Sequence, residues 1–147
     1  MIRKLRNAHY KSTEQFFGTN NTEITAGNTI GNPVRLSPLR VITQTGVAIE
    51  DGVILATGTY RLSADVIVEG TTAGLISIQI EDNGTPLAET VRTVSVGVGE
   101  SVEITTETVR YFETCCSLNH TLDLVVYSDG TAVADVVLMS GNIIKLA

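Results

Sequence analysis

The chain has no tryptophan, and only four Tyr and three Phe in 147 residues. A core built from it is aliphatic, mostly Val, Ile and Leu, and a stacking platform for sugars is poorly supplied. Its two cysteines, Cys115 and Cys116, are adjacent, which excludes the spaced disulfide framework of small secreted domains. No apolar run approaches the ~20 residues of a membrane helix, so no membrane partner is expected. Met1 to Lys11 begins with charge but leads into no apolar h-region, so the chain is expected to be made in a cytoplasm and to stay there at first. Positive charge is also scarce beyond the first residues. Four of the ten Lys and Arg lie within residues 1–11, with no acid beside them, so the other six face all sixteen acids, a net −10. An acidic body argues against nucleic acid as a partner, because affinity there comes from neutralising phosphates.

What is present is period-two patterning. Tyr60, Leu62, Ala64, Val66 and Val68 fall on one face of a stretch whose other face carries Arg61, Ser63, Asp65 and Glu69, with Ile67 the one exception. After Gly70-Thr71-Thr72 the alternation restarts with Ile76, Ile78 and Ile80. Such alternation with β-branched residues marks half-buried strands. Asn83-Gly84 follows, and an Asn-Gly pair is a strong hairpin signal because both residues accept positive φ. Asp51-Gly52, Gly99-Glu100 and Asp129-Gly130 mark further turns, and strand-like runs cover Val41 to Gln44, Val47 to Ile49, Val53 to Ala56, Val94 to Val98, Val102 to Thr105, Leu118 to Val126 and Val133 to Met139. Eight to ten short strands with regular turns and no convincing helix predict an all-β antiparallel sandwich in a single domain. The nearly two-sided apolar strands at the C-terminal side need cover on both faces, from the sandwich or from a neighbouring subunit.

Residues 1–20 read as an extended N-terminal arm and 21–147 as the folded domain, with Pro33 and Pro38 confining the pieces between Ile24 and Leu36 to edges and connections. The arm carries Arg3, Lys4, Arg6, Tyr10, Lys11, Phe16 and Phe17, cations for charge complementarity and rings for burial, and is the expected anchor to a partner.

The chemistry-bearing residues are few. Cys115, Cys116 and His120 form the one thiol and imidazole group. They are too few for a zinc site or an oriented nucleophile, and adjacent cysteines on a strand point opposite ways. The expectation is one buried thiol, one exposed thiol, and a histidine packed at a core edge or subunit contact. Glu50-Asp51, Glu81-Asp82 and Asp129 read as solvated turn acids, without the Asp-x-Asp-x-Asp spacing of a calcium loop. No Gly-rich phosphate loop or nucleophile elbow appears. No catalytic residue, metal or cofactor is assigned.

Three pieces carry a family resemblance. Gly58-Thr59-Tyr60-Arg61-Leu62 followed by Val66 resembles the Gly-x-Tyr-x-apolar strand of complement-type globular heads. Ile78-x-Ile80-x-x-Asn83-Gly84 resembles the strand leading into that family's Asn-Gly hairpin. Leu122-x-Leu124 to Asp129-Gly130, then Ala134-Asp135 and Ser140-Gly141-Asn142-Ile143-Ile144, resembles its closing strand pair. Over Val41 to Ala147 the chain is therefore similar to the tumour necrosis factor and complement globular-head superfamily. Asn142 stands where the animal proteins carry Phe, and aliphatic residues replace aromatic ones, which makes the chain more similar to the bacterial and bacteriophage branch.

The resemblance implies a TNF-like jelly roll that assembles as a homotrimer. It also implies a virion structural protein, a capsid decoration or head-fibre protein at the virion surface. In such a protein the arm docks on the major capsid protein or another shell protein. Tyr60, Leu124, Val126, Tyr127, Val137 and Ile144 are the candidate trimer-interface residues, with the strand face that meets the axis left open. The alternative is a receptor- or glycan-binding head acting through loops such as Glu81 to Pro86; a small hydrolase is the rival from another class.

Overall fold

The computed structural model describes residues 12–18, 21–36, 40–115 and 118–147, with the backbone alone for 40–43. In chain order the strands are β1 (Thr13–Gly18), β2 (Thr22–Ile24), β3 (Val34–Leu36), β4 (Arg40–Thr45), β5 (Ile49–Glu50), β6 (Val53–Ile54), β7 (Gly58–Thr72), β8 (Gly74–Asp82), β9 (Thr85–Pro86), β10 (Arg92–Val96), β11 (Ser101–Phe112), β12 (His120–Ser128) and β13 (Val133–Lys145). Among the described residues helical geometry is confined to a 3-10 turn at Ala88–Thr90 and to Cys115.

Two antiparallel sheets face each other. The first runs β11-β7-β13-β1-β4, with β2 also paired to β13; the second runs β10-β8-β12-β6-β5, with β3 also on β12 and β9 on β8. The stretch from Gly58 supplies a central strand to each. In β7, Tyr60, Leu62, Ala64, Val66 and Val68 are buried while Arg61, Ser63, Asp65 and Ile67 are half-exposed on the outer face. Gly70 to Gly74 then carries the chain across, so that β8 lines the second sheet with Ile76, Ile78 and Ile80. These meet Leu124 and Val126 of β12 and Ala134, Val136, Met139 and Ile143 of β13 in one aliphatic core. Each such side chain contributes about 1.5–3 kcal/mol on burial. The two expected tight turns form: Asp51 and Gly52 have φ of 49° and 77°, Asn83 and Gly84 of 50° and 82°, the left-handed pair that joins β5 to β6 and β8 to β9.

The expected boundary at residue 20 is corrected. Residues 13–18, placed in the arm from sequence, form β1, an interior strand hydrogen-bonded to β13 on one side and β4 on the other. The described body therefore includes residues 12–18. Two smaller expectations also change: Val47 lies in a bend and is almost fully exposed, and Leu118 is exposed ahead of β12.

The strand directions give the sandwich two distinct ends. One, here the terminal end, holds Ser12, Gly58, Asp82, Phe112, His120 and Ala147. The far end holds the β7–β8, β10–β11 and β12–β13 connections, tied by Gly70 N–H to Glu100 O (2.9 Å) and Asp129 N–H to Leu75 O (3.0 Å).

Candidate functional site

The terminal end and the outer face of the first sheet both present apolar groups to solvent. At the terminal end the chain enters next to where it leaves. Ser12 O accepts from the Lys145 N–H (2.8 Å), Ser12 Oγ accepts from the Ala48 N–H (2.9 Å), and Thr59 O accepts from the Leu146 N–H (2.7 Å). Glu14 of β1 is wholly buried, and its two oxygens accept from the N–H groups of Asp51 (2.7 Å) and Gly52 (2.6 Å). Burial pushes this carboxyl above its usual range, and the two backbone bonds offset only part of that. Around this entry Val47, Leu55, Leu118 and Leu146 expose apolar surface.

On the same end His120 is half-buried between the sheets. Its Nδ1 lies 2.8 and 3.0 Å from the two oxygens of Asp82, and its Nε2 lies 2.7 Å from the main-chain oxygen of Glu113. Phe112 meets the ring edge-on with centroids 5.1 Å apart, and Tyr60 meets Phe112 at 5.9 Å. Burial alone depresses the imidazole, but the Glu113 carbonyl and the Asp82 carboxylate outweigh it and hold its pKa above the ordinary value. Both ring nitrogens are engaged, so His120 has none to offer a substrate as a general base. Cys115 is disulfide-bonded, which corrects the expectation of two free thiols; Cys116 lies outside the described residues.

Of the acids read as solvated turn acids, Asp129 serves its own turn, while Glu81 is buried and Asp82 is bonded to His120, which corrects that reading for these two. Asp129 Oδ1 accepts from the N–H groups of Thr131 (2.9 Å) and Ala132 (3.1 Å), Oδ2 from that of Leu75 (3.1 Å), and these bonds hold its pKa down. Glu81 pairs with Arg35 at 3.0 Å. Among the described residues no three His, Cys, Asp or Glu side chains converge as a metal-binding group. A cavity of about 460 Å3 lies between the sheets, walled by residues such as Phe16, Leu62, Ile80, Leu124 and Met139; Asp51 and Asp123 are its only ionisable lining residues among those described.

The outer face of the first sheet follows from register. Leu138 lies opposite Ile67, and Ile67 opposite Glu103. Ile144 lies opposite Arg61 and Thr13, and Arg61 opposite Val109. Phe17 lies opposite Ser140. Strand β13 bulges between Val136 and Leu138, so Val137 is an extra residue on the strand and is half-exposed. Between the apolar rows Ser63 donates to Asn142 Oδ1 at 2.9 Å and Thr105 to Asp65 Oδ1 at 2.7 Å. The face is partly apolar and, among the described residues, half-exposed.

This geometry sorts the expected interface residues. Tyr60, Leu124 and Val126 are buried in the subunit's own core, with the Tyr60 hydroxyl donating to Ala56 O at 2.6 Å. With at most 8% exposed, they offer little surface to a neighbour, and the interface proposed below does not use them. Tyr127, Val137 and Ile144 remain half-exposed; Val137 and Ile144 belong to the first sheet, Tyr127 to the second. Of the arm residues, Phe16 points inward and packs on the core, and Phe17 lies on the outer sheet face. Arg3, Lys4, Arg6, Tyr10 and Lys11 lie outside the described residues. Sequence reasoning missed Ile67 and Leu138 as surface residues. The signal was there: Ile67 breaks the polar rhythm of β7.

Solved structures share this arrangement. The vertex protein P5 of PRD1 superposes with a TM-score of 0.61 at 13% identity, over 92% of this chain and 97% of that one. Murine APRIL gives 0.60 at 14% identity, over 92% and 99%. The globular domain of zebrafish complement 1qA gives 0.52 at 5% identity, over 93% and 98%. The fold is a TNF-like jelly roll. No protein-family model matches the sequence, and no curated protein matches it either. The jelly roll thus rests on structure alone, and the sequence resemblance proves correct as to fold across pairs sharing 14% identity or less.

Proposed function

We propose that this jelly roll is a structural protein of a bacteriophage virion. It assembles as a homotrimer and docks on the capsid shell, through the major capsid protein or another shell protein, by its terminal end. The observation that carries the reading is the near end-to-end match with a virion vertex protein, joined to a body whose chain entry, chain exit and exposed Val47, Leu55, Leu118 and Leu146 share one end. The basic segment with Arg3, Lys4, Arg6, Tyr10 and Lys11 leads into that end and supplies the anchoring charge. Phe16 is withdrawn from the anchor because it serves the core.

The trimer contact uses the outer face of the first sheet. Ile67, Leu138 and Ile144 are its apolar points, with Val137 and Phe17 beside them. A stable interface buries about 1,200–2,000 Å2 in total with an apolar centre and a polar rim, and a face of this mixed composition fits that need. Sedimentation of the purified chain is expected to give a trimer. Removal of residues 1–11 is expected to abolish binding to capsids while sparing the trimer. A stable monomer, or a truncated form that still decorates capsids, would reject the corresponding half.

The receptor- or glycan-binding reading must move. The Glu81 to Pro86 turn, suggested for it from sequence, lies at the terminal end beside His120. A tip site would use the far end instead, where Ile30 and Val98 are exposed. A glycan array with I30D and V98D variants tests that alternative.

A further inference from the structure

We propose that His120 is a proton-operated latch between the two sheets: its imidazolium hydrogen-bonds at once to Asp82 of the second sheet and to the Glu113 carbonyl at the end of the first, and loss of the proton undoes one of the two bonds. This inference is independent of any virion role.

The geometry itself calls for the charged ring. A main-chain carbonyl only accepts, so the Nε2 that lies 2.7 Å from Glu113 O carries a proton. Nδ1 stands 2.8 and 3.0 Å from both oxygens of a carboxylate, which likewise accepts. A neutral imidazole has one proton for two acceptors. In either tautomer one nitrogen lone pair is then pressed against an oxygen at hydrogen-bond distance, in a half-buried place where repulsion is weakly screened. The protonated ring satisfies both, and charge-assisted bonds of this kind are short and strong.

The surroundings reinforce this. From the second sheet Asp82 faces the ring. His120 is in register with Ile54 and Thr121 with Val53, both uncharged, and Glu50 follows on β5. From the first sheet come Phe112 and, behind it, Tyr60, whose hydroxyl is turned to Ala56 O. Glu113 offers its main chain, and Cys115 beyond it is disulfide-bonded and does not titrate. On its own strand the nearest acid is Asp123. No Lys or Arg pairs with Asp82 among the described residues. Asp82 is the charged side chain bonded to the ring, which favours the imidazolium, while the cation Lys145 lies beside Gly58, the residue opposite Phe112.

The bond to Glu113 is what makes this a latch rather than a surface ion pair. Asp82 and His120 are in one sheet, where the Leu122–Asp82 register already holds them. Glu113 follows β11 of the other sheet. Neutral His120 can keep Asp82 or Glu113, not both; its one N–H stays with the carboxylate, because a charge-assisted bond is the stronger, so the Glu113 bond goes and the β11 end around Phe112 loses a cross-sheet tie as pH rises.

The test is a nitrogen-15 titration of the ring in the full chain carrying His9→Gln, which leaves His120 as the only histidine. The expected result is a ring protonated on both nitrogens at pH 7, with a midpoint above the ordinary 6.5. Amide exchange at Phe112, Glu113 and Thr114 is expected to accelerate as pH passes that midpoint, beyond the intrinsic pH dependence. Asp82→Asn is expected to lower the midpoint by about one pH unit, and His120→Gln to abolish the extra acceleration. A single-proton ring at pH 7, or exchange at these amides that ignores the ring titration, would overturn the proposal. The titration on the His9→Gln chain decides it even where Asp82→Asn fails to fold.

Discussion

Glu14 is an acid facing inward on a strand, with both oxygens taken by the N–H groups of a two-residue turn. The turn needs it: Asp51 and Gly52 both hold left-handed backbone, and their N–H groups point into the body. Glu14→Ala removes both acceptors and is expected to cost about 1–3 kcal/mol, a drop of roughly 3–10 °C in Tm for a chain of this size. Thermal melts read it. The pH dependence has a defined sign. Burial raises the folded-state pKa, so the folded protein keeps this proton to higher pH than the unfolded chain does. The contribution of Glu14 to stability therefore falls as pH rises from the unfolded value near 4.5, and Glu14→Ala should flatten that slope. His120 works over a different window. Its raised pKa gives stability that is complete below 6.5 and is lost as pH climbs through the folded value.

At the scale of elements, β1 belongs to the body rather than to an arm. With Phe16 and Gly18 it completes the first sheet between β13 and β4, so its loss exposes two strand edges and part of the core. Deleting residues 1–11 is expected to leave Tm within a few degrees, whereas deleting 1–18 should give an unfolded or aggregated chain by circular dichroism and sedimentation. This strand was illegible in the sequence because its inward positions are Glu14, Phe16 and Gly18, one acid and one glycine in three, and period-two reading depends on apolar residues on the inward face. β7 and β8 were legible because theirs are mostly Tyr, Leu, Val and Ile; β11 was legible only over Val102 to Thr105, because its inward side then continues with Thr106 and Thr108 before Phe112. The turns were legible because Asp-Gly and Asn-Gly are local devices. The His120 site was not. Asp82 is 38 residues away and arrives through the register of β8 on β12, which no single stretch announces. Similarly, Tyr60, Leu124 and Val126 could be read as apolar, but whether such a residue faces the sandwich or a neighbour depends on which strands stack.

For the whole molecule the open question is what covers the first sheet. Its inner face packs on the aliphatic core, and its outer face offers Ile67 against Leu138 and Ile144 against Arg61 to solvent. A sheet face of this kind is stable in water when polar neighbours separate its apolar points, and here Asn142, Ser63, Asp65 and Thr105 do so through their own hydrogen bonds. The same mixture makes a good subunit contact, because the polar groups arrive already paired and add no unsatisfied atoms on burial. Leu138→Asp tests which use is real. Facing outward and half-exposed, the new carboxylate meets water in a monomer and should change Tm by no more than ~0.5 kcal/mol worth of stability. At a buried contact it would sit beside Ile67 and near Glu103 and be repeated in every copy, and an unpaired charge there costs several kcal/mol. The expected outcome is a trimer for the parent chain and a folded monomer for the variant at micromolar concentration, read by sedimentation with circular dichroism as the check on folding. The same quaternary state for both chains would move the contact off this face, and the second sheet, with half-exposed Tyr127, would be the next surface to probe.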